Sequence, residues 1–145
     1  MREGRLIALD VGDVRIGVAM SDPLGIIASP HSVIACKDTE SDLAAVVALI
    51  AEHRAVGLVV GLPLNQNGEV GPQAEKVLAF VEGLRGRVEV EIDTIDERFT
   101  SVIAERALIG ANVSRKDRKK LIDKIAAQQI LQTFLDRQRR GRAPS

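Results

Sequence analysis

The sequence predicts an α/β fold: a mixed five-stranded sheet, three antiparallel strands followed by two parallel ones, flanked by helices on both faces. Three observations carry this expectation. Residues 6–35 hold three strand-like stretches separated by short turns, the chain beyond them alternates helical and strand patterns, and two of the strands, 6–9 and 56–62, are unbroken apolar runs. Unbroken runs belong to strands covered on both faces, and alternating elements give parallel strands joined by helical crossovers.

Leu6-Ile7-Ala8-Leu9 is stopped by Gly12, and Arg15-Ile16-Gly17-Val18-Ala19-Met20 follows at once, so Gly12-Asp13-Val14 reads as a hairpin turn. Residues 26–35 form a third strand interrupted by Pro30, which directs it to a sheet edge or a bulge because proline cannot donate to a ladder. Thr39-Glu40-Ser41-Asp42 is a capping-box pattern opening a first helix, in which Leu43, Val46, Val47 and Ile50 keep helical spacing. Residues 56–62 end at Pro63, and Asn65-Gln66-Asn67-Gly68 is a loop. Pro72 opens a second helix through about residue 84. Residues 88–92 alternate strictly, as a strand with one wet face does. A short helix from about Ser101 stops at Gly110, and a long one runs from about Arg115 to Arg137 after Ser114. No repeat or interior linker breaks the chain, so residues 1–140 read as one domain and 141–145 as a disordered tail.

The 145 residues are 46% hydrophobic and 28% charged, which excludes a disordered chain. No apolar run is long enough to cross a membrane and no signal-peptide pattern opens the sequence, so a cytoplasmic protein is expected. Cys36 stands alone and makes no intrachain disulfide; with only His31 and His53 beside it, no structural zinc site can form. Lys plus Arg number 20 and Asp plus Glu number 20. The zero total conceals a separation: residues 1–111 carry 10 basic and 17 acidic side chains, net −7, whereas residues 112–145 carry 10 basic and 3 acidic, net +7. Such a basic segment is either a surface for phosphates or a solvated helix face.

Asp10 ends the apolar run of the expected central strand. A carboxylate there is costly to bury unless a metal or a donor compensates it, although it could equally cap the Gly12 turn. Asp123 aligns along the last helix with Ala126, Ala127, Ile130 and Phe134, and away from Lys124, Gln128, Gln132 and Asp136. It therefore faces the sheet, and the two alanines allow close approach. Asp96-Glu97-Arg98 ends the alternating strand. Asp96 shares a face with Val88, Val90 and Ile92, and Glu97 with Glu89 and Glu91, so parity alone does not choose between them. A surface salt bridge to Arg98 is the simpler alternative.

Carboxylates with no His or Cys partner select Mg2+ or Mn2+ over zinc. Two such ions can activate a water and stabilise the leaving oxygen of a phosphodiester. Arg115-Lys116-Asp117-Arg118-Lys119-Lys120 fills the opening turns of a helix, where cations oppose the dipole unless phosphate is near. With three Phe and no Trp or Tyr, there is little for unpaired bases to stack on, so backbone shape is the expected readout. No Walker loop, G-x-G-x-x-G or G-x-S-x-G motif is present.

Five ordered blocks carry a family resemblance. They are Ala8-Leu9-Asp10-Val11-Gly12 with Arg15-Ile16-Gly17-Val18-Ala19; Ser21-Asp22-Pro23; Val60-Gly61-Leu62-Pro63-Leu64-Asn65 followed by Gly68; Asp96-Glu97-Arg98 with Thr100-Ser101; and Ile122-Asp123-Lys124 with Ala126-Ala127 and Ile130-Leu131-Gln132. From about Leu6 to Leu135 the chain resembles the bacterial YqgF family, also called RuvX. The resemblance implies an RNase H-like fold and a metal-dependent nuclease with Asp10, Glu97 and Asp123 as its catalytic, metal-binding acids. It assigns the role at the Asp-Glu-Arg block to Glu97 and leaves Asp96 as a supporting residue. Asp13 departs from the Thr that many members carry, and its extra charge bears on metal occupancy or on the turn. Members are linked both to maturation of precursor 16S ribosomal RNA and to resolution of Holliday junctions.

The expectation is an endonuclease in which Asp10, Glu97 and Asp123 hold two Mg2+ or Mn2+ ions while Arg15, Arg98, Lys120 and Lys124 position the backbone of structured RNA or branched DNA. Two other readings stay open. One is a non-catalytic nucleic-acid-binding factor for ribosome assembly. The other is an actin-like or sugar-kinase-type ATPase that uses Asp10-x-Gly12 as its phosphate turn; such proteins need two lobes, and 145 residues provide one. A junction resolvase makes paired cuts and so favours a two-fold homodimer. Because the charge is segregated, added salt is expected to weaken nucleic-acid binding steeply in a filter-binding titration despite the neutral total. A salt-independent affinity would rule out the basic helix as the contact.

Overall fold

Strand β1 (Leu6–Val11) is the middle strand of a five-stranded sheet ordered β3-β2-β1-β4-β5. The structure is a computed structural model that describes residues 4–97 and 115–141. Leu6, Ile7, Ala8 and Leu9 are at most 2% exposed, as an unbroken apolar run with elements on both sides should be. Strand β2 (Arg15–Ser21) pairs antiparallel with β1 through the expected turn, which is closed by the Gly12 N–H donating to the Arg15 carbonyl at 3.0 Å. Strand β3 (Ala28–Ala35) forms the edge beyond β2. Its register shifts so that Val18 faces Ser32 while Ala19 faces Pro30, leaving His31 as the extra residue of a bulge. Ile26 and Ile27, expected in this strand, precede it. The Asp22 carboxylate accepts from the backbone N–H groups of Leu24, Ile26 and Ile27 and holds them in a loop instead.

Helix α1 (Thr39–His53) is capped by Asp38, one residue before the expected box. The Asp38 carboxylate accepts both the Ser41 N–H at 2.8 Å and the Ser41 hydroxyl at 2.9 Å, and a carboxylate is a stronger cap acceptor than the Thr39 hydroxyl. Strand β4 (Gly57–Leu62) runs parallel to β1, and helix α2 (Pro72–Arg85) opens at the expected proline. Strand β5 (Glu91–Asp96) lies later than the alternating residues 88–92 suggest. β4 begins at Gly57, which pairs with Glu91, so no ladder partner exists for Val88. The N–H groups of Arg87 and Val88 are instead taken by the Leu84 carbonyl at the end of α2, while Val88 and Val90 still pack against the core.

Helix α3 (Arg115–Gly141) continues past Arg137 and includes Gly141. The expected short helix at 101–110, the cap at Ser114 and residues 142–145 lie outside the described residues. No helix among the described residues is long and apolar enough to cross a membrane.

The core has two layers, because alternate residues of each strand point to opposite faces. Ile7, Leu9, Ile16, Val18, Leu58 and Val60 meet Leu43, Val46, Val77 and Val81 of α1 and α2. Leu6, Ala8, Ala19, Val59 and Ile95 meet Ala127, Ile130, Leu131 and Leu135 of α3. Gln128 and Gln132, expected on the far side of α3, turn to the edge strand. Gln132 Oε1 accepts the Ala28 N–H at 2.9 Å, and Gln128 and Gln132 donate to the Ala28 and Ile26 carbonyls at 3.0 and 3.1 Å. These amides satisfy backbone groups at the start of an edge strand, which the ladder leaves unpaired.

α3 packs chiefly on β2 and β3, and its backbone comes close to the sheet at Gly17. A Cβ at that position would run into the backbone carbonyl of Asp123. Interiors tolerate such overpacking poorly, with a cost of about 1–3 kcal/mol. Gly17→Ala is therefore expected to lose roughly that much stability in urea unfolding. An unchanged midpoint would mean that α3 is not seated on β2.

Candidate active site

Asp10 follows Leu6 and Ala8 in alternation and so points to the α3 face, whereas Ile7 and Leu9 point to the other. Across the antiparallel ladder it pairs with Gly17. On its other side the parallel ladder reaches Leu9↔Val60, so the next residue, Gly61, is its neighbour in β4. The half-buried Asp10 thus stands in the sheet between two glycines.

Glu97 comes directly after β5. Ile92 belongs to the α1/α2 layer and Ile95 to the α3 layer, so Asp96 points away from α3, and the side chain of Glu97 lies on the α3 face, beside Ile130 over Gly61. A Cβ at Gly61 would lie 2.6 Å from Glu97 Oε1 and 2.5 Å from Ile130 Cδ1. The Glu97 side chain therefore lies across Gly61, the sheet neighbour of Asp10, in space that any other residue would fill.

Asp123 also faces the sheet, its backbone resting on Gly17. Its carboxylate accepts from Arg15 Nε at 2.6 Å, the two side chains being 22% and 26% exposed. Arg15, expected at substrate phosphate, is here the ion-pair partner of an expected metal ligand. Among the described residues, no three His, Cys, Asp or Glu side chains stand close enough together to hold a metal ion. The three acids share a face without being gathered. Arg15, Lys120 and Lys124 line a cleft of about 220 Å³ with Val33 and Ala35, so three of the four expected backbone-positioning cations meet in one place. Arg98 lies outside the described residues.

The remaining polar residues fall elsewhere. Asp13 pairs with Lys76 of α2 at 3.3 Å and both are exposed, so its extra charge is spent on the α2 side of the turn. Burial, then the carboxylate of Asp42, pushes the Cys36 thiol up, away from nucleophilic character. His31 and His53 meet edge to face with ring centroids 4.9 Å apart. No sequence pattern announces that pairing, because it joins the bulge of β3 to the end of α1. Gly17 and Gly61 were also undervalued in the sequence; a glycine inside a strand was the available signal that a backbone or side chain comes close.

A mixed sheet of this strand order, covered by helices and presenting a carboxylate from its central strand, belongs to the RNase H-like class of folds. Solved structures share it: Thermus thermophilus RuvC in complex with a Holliday junction superposes with TM-score 0.59 at 15% identity, covering 95% of this chain and 96% of that one. Fowlpox virus resolvase with junction DNA gives 0.57 at 11%, covering 92% and 98%. A model of the RuvX family, described as Holliday junction resolvase, matches residues 4–137. A relative from Natranaerobius thermophilus is 46% identical over 92% of this chain and 95% of its own, and one from Desulforamulus reducens is 49% identical over 91% and 96%. Both are named "Putative pre-16S rRNA nuclease". The chain belongs to the RuvX family, and it is a nuclease, a hydrolase of phosphodiester bonds.

Burial, with the nearby His53 second, holds the His31 pKa below its ordinary value of 6.5. Below pH 6.5 the unfolded chain binds more proton at this site than the folded chain, so His31 costs nothing above that pH and contributes a small loss of stability below it, small because the side chain is exposed. Urea midpoints should decline between pH 7.5 and 5.5, and His31→Gln should flatten that decline. An equal decline in the variant would remove His31 as its source.

Proposed function

We propose that Asp10, Glu97 and Asp123 hold Mg2+ or Mn2+, two ions, and that the protein cleaves structured RNA of the precursor 16S type. The observation that carries this reading is the glycine-flanked carboxylate: Asp10 between Gly17 and Gly61, with Glu97 laid over Gly61 on the same face. The donors are carboxylate oxygens, which fit hard divalent cations. Asp123 joins them once it leaves Arg15. When bound, the ions supply an activated water and charge stabilisation at the leaving oxygen. The chain's own share is to hold the donors on a rigid sheet and to bring the substrate to them. Arg15, Lys120 and Lys124 would seat the backbone in their cleft, and Arg98, from the same motif as Glu97, would extend that contact. Recognition by backbone accords with the scarcity of aromatic side chains.

The RNA substrate is supported by two relatives at 46% and 49% identity over nearly their whole length. The family description favours a second reading, cleavage of four-way DNA junctions, which would require two copies for paired cuts.

Cleavage of an extended 16S precursor and of a four-way junction, each with Mg2+ and Mn2+, tests both. Asp10→Asn is expected to fold and to bind RNA as the wild type does, but to cleave at least about 100-fold more slowly, since metal-supplied stabilisation amounts to several kcal/mol. An undiminished rate overturns the assignment of Asp10.

A further inference from the structure

Arg15 is bonded to a candidate metal ligand, with Nε donating to Asp123 Oδ2 at 2.6 Å. Two features hold that arrangement. The backbone of Asp123 rests on Gly17, two residues from Arg15 on the same face of β2, so the sheet sets how far apart the two side chains can stand. Both side chains are partly buried, so water screens the pair less than it would on an open surface. Arg15 also lines the cleft of about 220 Å³ that it shares with Lys120 and Lys124. One guanidinium therefore borders two anion positions: the Asp123 carboxylate, which it holds now, and a space lined by cations.

We propose that Arg15 is a phosphate-operated latch on Asp123. This rests on the reading of Asp10, Glu97 and Asp123 as the metal set. Without substrate, Arg15 neutralises Asp123 and occupies one of its carboxylate oxygens. A phosphodiester in the cleft offers Arg15 a second two-oxygen anion, held there also by Lys120 and Lys124, in place of the Asp123 carboxylate. Asp123 is then released to the metal. Phosphate and metal bind cooperatively because each removes a competitor of the other, and by linkage the effect runs equally in both directions. The metal set is thereby completed where a nucleic-acid backbone is present. Arg15 is a positioning residue in this scheme, acting on the metal through Asp123.

The test is Mn2+ binding to the full-length protein, read from the loss of the free-ion EPR signal, in chloride and in sulfate at equal ionic strength. Sulfate serves as the oxyanion probe. Wild type should bind Mn2+ about tenfold more tightly in sulfate, a coupling of ordinary size. Arg15→Gln should bind about tenfold more tightly than wild type in chloride and gain nothing from sulfate, whereas Arg15→Lys, which keeps the charge but not the planar fork, should retain only part of the coupling. In 1H–15N spectra of the metal-free wild type, the Arg15 Nε–H signal should be protected, lost in Asp123→Asn, and shifted by sulfate. Equal affinities of wild type and Arg15→Gln in both salts, with Asp10→Asn abolishing binding, would overturn the latch and leave the metal reading intact. No saturable Mn2+ binding in any variant or salt would overturn both. Should Arg15→Gln fail to fold, the wild-type spectrum decides: an Nε–H signal unmoved by sulfate refutes the latch.

Discussion

Helix α3 lies on the sheet where β2 carries no side chain. At Gly17 the helix backbone around Asp123 descends until its carbonyl occupies the space a Cβ would take, and the depth of that contact sets the packing of the later turns of the helix. Ile130, Leu131 and Leu135 reach the sheet and are essentially unexposed. Gln128 and Gln132 come within hydrogen-bond range of the edge strand, and Asp123 comes within reach of Arg15. On the other flank of Asp10, Gly61 leaves room for Glu97 and Ile130 in the same way. The candidate site is thus shaped by two omitted side chains. Close-packed interiors make this effective, since a single methyl group is enough to shift a neighbour.

That geometry places Asp10, Glu97 and Asp123 on one face, where uncompensated carboxylates repel one another. In the structure Arg15 compensates Asp123 directly, and Lys120 and Lys124 stand beside it. The same cations are suited to nucleic-acid phosphate. The neutral total charge of the chain is therefore the sum of an acidic body and a basic last segment, and Lys120 and Lys124 of that segment stand beside the face that carries Asp10. A hydrolase of phosphodiester bonds needs such a boundary, because its substrate must approach acidic groups while its own backbone is anionic.

Much of this is legible in the sequence, and the exceptions share a cause. The run at residues 6–9 announced a central strand because nothing but cover on both faces accommodates four consecutive apolar residues. Pro30 announced an edge or a bulge because it lacks an N–H, and β3 shows both. The alternating residues 88–92, by contrast, satisfied a strand pattern but had no partner, since β4 starts opposite Glu91. Helical spacing gave the phase of Asp123 correctly, yet it could not tell that Gln128 and Gln132 would find backbone groups of β3 about 100 residues away in sequence.

By itself, then, the sequence determined which residues can be buried, which face of each element they share, and which hard oxygen donors and cations the chain has to offer, because periodicity and side-chain chemistry are local properties. Tertiary structure decided that Glu97 rather than Asp96 shares the face of Asp10, that Gly17 and Gly61 flank that carboxylate, and that Arg15 holds Asp123. Those outcomes depend on strand order, ladder register and the seating of one helix. They are set by contacts between distant segments, which no local pattern encodes.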